Sequence, residues 1–571
     1  MIPSILTDAL TDRIKLVFSR TSSLTMWPIS APVNWVNSFD SVNLEIGLLV
    51  DPETSLKLVD QGPPADDEKG AEAFQKIWGD RAELRRFKDG SILESVVWNI
   101  KNNISGRYGI VSNAITHLVQ RHFGIKIERG VHLWGNEFIP FLDRERGLNE
   151  GVFKPIMNDF IQVSKDMRSL SDLPISITTV SPSSASLRYS SLSIPKPIAI
   201  GDPARYIEPI DIVITLESST RWPDDLFAIQ NMKVAFYLKI ASQLESRYEG
   251  YKCTVIHQTM DESERINNRS YLELIAPSGF AYRARIYLDR EEYLFQQKLQ
   301  GSETDSFKKI EMIEAKEFYD NYLVRSCRFT TLFHNVCLSH PSLPTTVRLV
   351  KRWMTLHMLS NHIPEEVIEL ICAKVQMESG SWSASGTHWS GFIRVLHFLK
   401  DFDWKHDLFF VNLDTSASES DIATLKSKAH DNFLKLRHED PTMSHSAMLL
   451  YTNDDTEAIW WQQRKRLSRV ILGRLKVLAI SSLQCIYDAI NKCDGDYLKR
   501  LFTPPLQHYD ALIYLNSCKC TRYVESLTVD AENLPKRQKY KNLLQVEEMH
   551  IGYDPVAHYL EDLKVRFFLF I

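Results

Sequence analysis

Asp211 lies in the stretch PIDIVITLE, where its carboxylate is a candidate ligand for the magnesium ions used in phosphoryl transfer. A two-metal site needs a second carboxylate two residues along the strand, because alternate side chains of a strand share one face. The residues on the face of Asp211 are Val213 and Thr215. Glu217 is about 20 Å away along an extended strand. The second metal ligand is therefore missing from this strand.

Two neighbouring stretches weaken the case for phosphoryl transfer further. The stretch TVSPSSASLRY (179–189) contains serines but no glycine at which a phosphate could approach the backbone. The stretch YRARIYL presents Arg283 and Arg285 where a third acid would be needed. One carboxylate beside two cations cannot build a two-metal site.

No other motif supplies a catalytic centre. Cys518 and Cys520 form a close pair, but neither a second pair nor a histidine at ligand spacing accompanies them, which disfavours a zinc site. The sequence also lacks Gly-x-Ser-x-Gly, His-Glu-x-x-His and Walker-type glycine motifs. We predict that the chain is not an enzyme and that it holds no metal or cofactor.

Four cations surround a predicted tight turn in the stretch from residue 77 to residue 100: Arg81, Arg85, Arg86 and Lys88. The Asp-Gly pair in FKDGS, flanked by ELRRF and SILESVVW, predicts a β-hairpin. We expect three apolar side chains to anchor the second strand in the core: Ile92, Val96 or Val97, and Trp98.

Two interpretations of these cations compete. In one, they form a basic patch that faces phosphate groups. In the other, nearby acids neutralise them locally, namely Asp80, Glu83, Asp89 and Glu94. Residue types alone favour the second interpretation.

A long helix is predicted at about residues 456–491. One face carries Lys465, Arg469 and Lys476, and the opposite face carries apolar side chains that include Leu467. The cationic face is either a plain solvated surface, which is favoured, or part of a surface for RNA or an acidic partner.

The elements around Asp211 alternate between strands and a helix. Strands are predicted at 173–181, 208–217 and 279–289, and a long helix at 223–250. This is the element order of a nucleotidyltransferase fold, and the pattern from about residue 305 onward is mainly helical. We therefore predict an α/β (α+β) multidomain chain, with roughly four domains at about 150 residues each.

Composition restricts the partners. The chain has 67 Lys plus Arg, 72 Asp plus Glu and a net charge of -5, so any RNA contact needs a local basic face. Eight scattered cysteines indicate a reduced, intracellular protein. The N-terminus lacks the features of a secretory signal, and we find no apolar run near the roughly 18 residues of a membrane span. A membrane is therefore not an expected partner.

Several stretches together resemble one family. FQKIWGDRAELRRFKDGSILESVVW (74–98), preceded by IGLLVDPETSLKLVDQGPPADD, closely resembles the signature of the Nrap family, the nucleolar RNA-associated proteins of the small-subunit processome. Further runs agree in order: LPISITTVSPSSASLRY, LVKRWMTLHMLSNHIPEEVIELICA, GFIRVLHFLKDFDWKHDLFFVNLD and LFTPPLQHYDALIYL. The resemblance covers most of the chain.

The resemblance implies the C-terminal half of a longer protein that contains two copies of a nucleotidyltransferase-like and helical domain pair. It implies a domain 3-like unit at 1–150 and a degenerate nucleotidyltransferase-like domain 4 at 151–325. A helical domain 5, like those of poly(A) polymerase and oligoadenylate synthetase, follows at 326–495, and part of domain 6 at 496–571.

The resemblance further implies a non-catalytic nucleolar scaffold, located in the nucleus, that serves small-subunit ribosome biogenesis and pre-rRNA processing. Its expected partners are pre-ribosomal RNA and processome proteins, and the cations named above are candidate contacts. Two alternatives stay open. One is an active RNA nucleotidyltransferase that depends on Asp211, and the other is a protein-interaction module without direct RNA contact.

Overall fold

A computed structural model describes the greater part of the 571 residues. The described residues are 2–23, 42–99, 104–125, 133–135, 137–138, 152–198, 206–257, 270–300, 306–378, 380, 384–459, 467–492, 494–504, 506, 509, 512–515 and 550–566.

Helices and strands are numbered here in chain order within those residues. The helices are α1 (Ile2–Leu10), α2 (Glu68–Trp78), α3 (Ile104–Phe123), α4 (Lys154–Arg168), α5 (Leu226–Arg247), α6 (Asp289–Gln300), α7 (Ser306–Phe318), α8 (Ser326–Ser339), α9 (Leu343–Leu356), α10 (Glu365–Met377), α11 (His388–Asp401), α12 (Glu419–Glu439), α13 (Arg469–Lys492) and α14 (Pro555–Arg566). The strands are β1 (Ile14–Ser23), β2 (Val42–Val50), β3 (Val59–Pro64), β4 (Glu83–Arg86), β5 (Ile92–Val97), β6 (Ile177–Pro182), β7 (Tyr206–Ile207), β8 (Ile210–Leu216), β9 (Lys252–Ile256), β10 (Tyr271–Ile275), β11 (Ala281–Tyr287), β12 (Phe409–Val411), β13 (Leu450–Thr452) and β14 (His550–Ile551).

The N-terminal part of the chain builds two small sheets around one core. β1 pairs with β2, and a three-stranded sheet has the order β3-β5-β4, which makes β4 an edge strand. Trp78 of α2 is buried with Val96 and Trp98 from the end of β5, and α1 and α3 contribute to the same core.

The middle of the chain folds around a five-stranded sheet with the order β6-β8-β11-β10-β9. β8 and β11 are parallel, and the other neighbours are antiparallel. The predicted strands correspond to β6, β8 and β11, and the predicted long helix corresponds to α5, whose N-cap residue Asp225 accepts a hydrogen bond from the Ala228 N–H. The predicted α/β fold class is confirmed.

From α8 onward the chain is mainly helical. α8, α9, α10, α11 and α13 enclose a core of large apolar side chains that includes Trp353 and Phe392. β12 and β13 form a short parallel pair in the same region.

The predicted helix at about residues 456–491 is wrong as one continuous helix, because residues 467 and 468 are not helical and α13 begins at Arg469. Residues 460–466 lie outside the described residues. The carbonyl oxygen of Leu467 accepts a hydrogen bond from the Ala447 N–H at 2.8 Å, so it is not available to a helix. The Ser468 hydroxyl then accepts a hydrogen bond from the Ile471 N–H and caps the helix. Side-chain periodicity does not reveal such a long-range backbone contact.

α13 also corrects the expectation that no apolar run reaches the length of a membrane span. Among the described residues, this one helix is long and apolar enough to cross a bilayer by length and composition. Seven of its residues, including Leu475 and Ile486, are buried in the helical core. A single helix of this kind is weak support for a span, because core helices of globular domains meet the same criteria.

Candidate functional sites

The sheet carboxylate Asp211 is paired with arginine. The register of β8 and β11 puts Arg283 opposite Asp211 and Arg285 opposite Val213. The Nη1 atom of Arg285 is 2.9 Å from Oδ1 of Asp211, and Nη1 of Arg283 is 3.9 Å from the same oxygen. Guanidinium groups therefore surround the one carboxylate that this strand offers as a metal ligand.

Tyr271 and Glu273 of β10 complete this charged sheet face. Glu273 lies opposite Arg283, and the guanidinium groups of Arg283 and Arg285 lie 4.8 and 5.3 Å from the centre of the Tyr271 ring. Burial raises the pKa of the Glu273 carboxyl to about 6, and the positive charge of Arg283 opposes this rise. Arg283 and Arg285 thus offset the charges of Asp211 and Glu273, which weakens the attraction of these carboxylates for a divalent cation.

The C-terminal strand β14 lies beside this face. It pairs in parallel with β7, and the Gly552 N–H donates to the carbonyl oxygen of Ile207 at 2.8 Å. Gly552 has φ +69°, and a Cβ at this position would collide with the Arg283 guanidinium. The backbone conformation and the close approach both require glycine.

The serine-rich stretch 179–189 contributes a buried arginine. Arg188 donates from Nε and Nη2 to the two carboxylate oxygens of Glu369 in α10, at 2.8 and 3.2 Å. Ser190 and Lys351 each donate to Glu369 Oε1 at 2.6 Å. Arg188, Lys351 and Glu369 are at most 3 % exposed, so buried charges join the sheet region to the helical region.

The predicted basic hairpin is present, with β4 and β5 paired antiparallel. Its turn is closed by hydrogen bonds from the Gly90 N–H to the Phe87 carbonyl and from the Phe87 N–H to the Ser91 carbonyl, at 3.0 and 2.9 Å. Gly90 has φ +89°, the glycine conformation that a bulged hairpin turn requires.

The predicted local neutralisation of the hairpin cations is not found. Arg85, Arg86 and Lys88 are exposed, and none of them forms an ion pair within the described part of the chain. Asp89 accepts instead from the N–H and hydroxyl of Ser91, and these hydrogen bonds lower the pKa of the Asp89 carboxyl. Glu94 is buried and accepts from the side-chain amide of Gln75 at 2.7 Å.

The anchoring of the hairpin agrees with the prediction except at Ile92. Val96 and Trp98 are buried, but Ile92 is 50 % exposed and Leu84 beside it is 59 % exposed. The reason is that burial along β5 begins only at Glu94, so the tip of the hairpin extends beyond the core.

Arg81 and a residue that the sequence analysis missed extend the positive surface. The Arg81 guanidinium lies over the Trp98 ring, 5.0 Å from its centre. The guanidinium of Arg121, in the last turn of α3, lies against Gly79, where a Cβ would collide with it. No sequence pattern links two positions so far apart.

The remaining predicted positions divide into two groups. Arg469 and Lys476 are exposed on one side of α13, since seven residues correspond to about two helical turns. Lys465, Cys518 and Cys520 lie outside the described residues.

The mixed five-stranded sheet followed by a helical region matches the arrangement of a nucleotidyltransferase-like protein, and the family comparison assigns this class to the chain. Comparison with known families gives four successive matches: Nrap protein domain 3 at residues 1–124, Nrap protein nucleotidyltransferase domain 4 at 138–338, Nrap protein PAP/OAS1-like domain 5 at 340–504, and Nrap protein domain 6 at 506–570. The chain belongs to the Nrap family, which confirms the resemblance seen in the sequence.

Individual relatives agree with this assignment. U3 small nucleolar RNA-associated protein 22 of Schizosaccharomyces pombe is 31% identical over 523 residues, which are 91% of this chain and 45% of that protein. Nucleolar protein 6 of Xenopus laevis is 26% identical over 586 residues, covering 98% and 48% of the two chains. The chain spans about half the length of these relatives. Their names indicate a nucleolar, and hence nuclear, location for it.

One solved structure matched by the chain is terminal uridylyl transferase 4 from Trypanosoma brucei with bound UPU. The alignment covers 61% of this chain and 96% of that one, with 9% sequence identity and a TM-score of 0.30.

Proposed function

We propose that this chain is a non-catalytic nucleolar scaffold of small-subunit ribosome biogenesis that acts in pre-rRNA processing. Its partners are pre-ribosomal RNA and processome proteins, and a membrane is not among them. The observation that carries the proposal is the pairing of Asp211 with Arg285 in a chain of the Nrap family. We also propose that the chain divides into four domains, with boundaries near residues 150, 325 and 495.

The charged sheet face supports the non-catalytic role. Phosphoryl-transfer enzymes hold metal ions against a triphosphate, and carboxylates provide the ligands. A metal ion at Oδ1 of Asp211 would compete with Arg285, whose side chain is only 13% exposed and cannot lose its proton. Leaving that guanidinium without a counter-charge costs several kcal/mol.

The basic hairpin, defined as Arg81, Arg85, Arg86 and Lys88, supports direct contact with RNA. Arg85 and Arg86 are neighbours on the edge strand β4, so their side chains point to opposite faces of the sheet. A phosphate backbone that runs along this edge can reach both side chains. Because the net charge of the whole chain is -5, such binding depends on this local surface.

Salt-dependent RNA binding by the purified chain tests the contact. Fluorescence anisotropy with a single-stranded pre-ribosomal RNA fragment would be measured at several salt concentrations. Arg85→Ala with Arg86→Ala should reduce the slope of log affinity against log salt by about 1.4, because each lost phosphate contact contributes about 0.7. Lys426→Ala with Lys428→Ala, at exposed positions of α12, is the matched control. Equal slopes for the two double variants would show that the hairpin is not part of the RNA interface.

Crosslinking in cells tests the same contact in the assembly pathway. Tagged protein would be crosslinked to RNA and the bound RNA sequenced, with Arg85→Glu plus Arg86→Glu alongside. A lower number of pre-ribosomal RNA reads for the variant than for the unaltered protein would support a direct RNA contact. Reads no higher than in an untagged control favour the alternative of a protein-interaction module without RNA contact.

Nucleotide incorporation tests the enzymatic alternative. The purified chain, magnesium, nucleoside triphosphates and a labelled RNA should give no extended product. Extension that disappears in Asp211→Ala would show that the chain is a nucleotidyltransferase and would overturn the non-catalytic proposal.

A further inference from the structure

One face of α13 carries an exposed heptad pattern. Its residues alternate at spacings of three and four, as the a and d positions of a coiled-coil helix do: Val470, Gly473, Val477, Ile480, Gln484 and Tyr487. The three aliphatic side chains are 77%, 62% and 46% exposed in that order. The opposite side of α13 is buried in the helical core. This exposed row is named here the α13 seam. Its Tyr487 hydroxyl is hydrogen-bonded to Nε2 of His397 in α11 at 2.9 Å, and its aliphatic part is a second interaction face that the described fold does not use.

Gly473 lies in the middle of the α13 seam, where no contact among the described residues requires a glycine. A Cβ at this position would meet no atom within 4 Å. Glycine weakens the interior of a helix, so internal packing does not explain its presence. In a pair of packed helices, a small residue permits close approach of the partner. Gly473 thus points to a helix from outside the described fold.

Positive charges flank the first two heptads of the α13 seam, whereas the third e position is Asp488, which accepts a hydrogen bond from the Gln484 side-chain amide at 2.9 Å. Arg469 and Lys476 occupy g positions of the heptad, and Arg474 occupies an e position. Arg469 and Lys476 are exposed and form no ion pair in the part of the chain that the structure describes. Arg474 donates to the Tyr509 hydroxyl at 3.2 Å. Because e and g residues determine which helices pair, the complement of this face is a helix with acidic e and g residues.

We propose that the α13 seam binds an acidic amphipathic helix of a protein partner, packed alongside α13 as in a coiled coil. RNA is a poor match, because phosphates and bases are bound by cations, polar groups and aromatic rings, whereas the centre of the seam is aliphatic. A bilayer is a poor match, because the buried side fixes α13 in the fold and leaves only a narrow apolar row. The inference rests on the proposed scaffold function only in taking the occupant to be a protein.

Two designed peptides and the full chain test the proposal by fluorescence anisotropy. Both peptides contain three heptads with leucine at a and d; one has glutamate at e and g, and the other has lysine. The acidic peptide should bind at least about tenfold more tightly than the basic one, because only its charges complement Arg469 and Lys476. Arg469→Glu with Lys476→Glu should reverse this preference.

Two single variants separate the seam from general surface effects. Val477→Glu should weaken binding of the acidic peptide at least about fivefold, since it buries a charge of the same sign at the centre of the contact. Leu434→Glu is the matched control, because Leu434 is 53% exposed on α12, and it should change the affinity less than about twofold. Thermal melting of each variant checks that the fold is retained.

Three outcomes would overturn the proposal. The first is equal binding of both peptides by the unaltered chain, and the second is acidic-peptide binding that Val477→Glu leaves unchanged. In the third, Val477→Glu abolishes binding to phosphatidylserine vesicles or to an RNA oligonucleotide rather than to the peptide. The RNA measurement also distinguishes the two proposals. A chain that binds RNA but not the acidic peptide would contradict the seam proposal alone. Loss of RNA binding in the hairpin variant bears on the proposed scaffold function alone.

Discussion

The Arg285 guanidinium contacts the Asp211 carboxylate at 2.9 Å across two parallel strands. In a phosphoryl-transfer enzyme, a carboxylate on such a sheet face binds a metal ion, and the metal ion binds the triphosphate. Here the arginine supplies the positive charge as a fixed part of the fold. The charge of Asp211 is thereby offset by a neighbouring strand.

Magnesium is expected to leave the stability of this chain unchanged. A ligand that binds only the folded state at a concentration of 100 Kd would stabilise it by about 2.7 kcal/mol. With Arg285 paired to Asp211, we expect melting temperatures with and without magnesium to differ by less than about 1 °C. Differential scanning fluorimetry of the chain and of Asp211→Asn makes the comparison. A magnesium-dependent rise that Asp211→Asn abolishes would contradict the expectation.

Removing the charge of Glu369 should strongly destabilise the chain. Glu369→Gln leaves Arg188 and Lys351 buried without their shared carboxylate, and breaking such a buried pair costs about 3–5 kcal/mol. Glu365 also accepts from Lys351, but its side chain is 51% exposed, so Glu365→Gln should cost less than about 1 kcal/mol. Urea denaturation compares the free energies of unfolding of the two variants. Similar losses of stability would show that burial of the network does not determine its contribution to stability. Arg188→Met with Glu369→Leu should recover part of the loss.

Acid should destabilise the chain in part through His388. This residue is buried at the start of α11, and burial lowers its pKa from 6.5 to about 4. Between these values the unfolded chain binds a proton that the folded chain does not, so stability falls as the pH falls, by up to about 3 kcal/mol. His388→Gln should flatten the dependence of the urea midpoint on pH in this window. His430→Gln, at an exposed position of α12, should leave the pH dependence of the urea midpoint unchanged.

Gly473→Ala should stabilise the chain. The substitution removes the entropic cost of glycine in a helix interior and places the new methyl group in open space, for an expected gain of about 0.5–1 kcal/mol. The urea midpoint of Gly473→Ala, compared with that of Ser481→Ala on the same helix, measures the effect. A loss of stability would mean that Gly473 is required by a contact within the chain itself.

Side chains alternate between the two faces of a strand, and this alternation explains which residues of the sheet were predicted correctly. It places Arg283 and Arg285 on one face of β11, and both lie within reach of Asp211. It also places Ile92 on the same face as Val96, but the period does not reveal where the core ends, and Ile92 is exposed. Periodicity gives the direction of a side chain and not its surroundings.

Contacts between distant parts of the chain were beyond sequence reasoning. Arg188 and Glu369 are 181 residues apart, and no local pattern in either stretch indicates that they meet. The start of α13 was likewise misplaced because the backbone of Leu467 pairs with Ala447. The basic hairpin is the opposite case for its turn and its pairing, which follow from one short stretch, whereas the favoured neutralisation of its cations by neighbouring acids was wrong.

The pairing of β7 with β14 has a consequence for the order of events during synthesis. β7 ends at Ile207 and its partner begins at His550, so the ribosome must make several hundred residues between them. At roughly 5–20 residues per second, this takes about 20–70 s. From the synthesis of Arg283 to that of Gly552, the nascent chain presents this arginine without the glycine beside it. The arginine-bearing sheet face therefore reaches its final surroundings only after Gly552 has been synthesised.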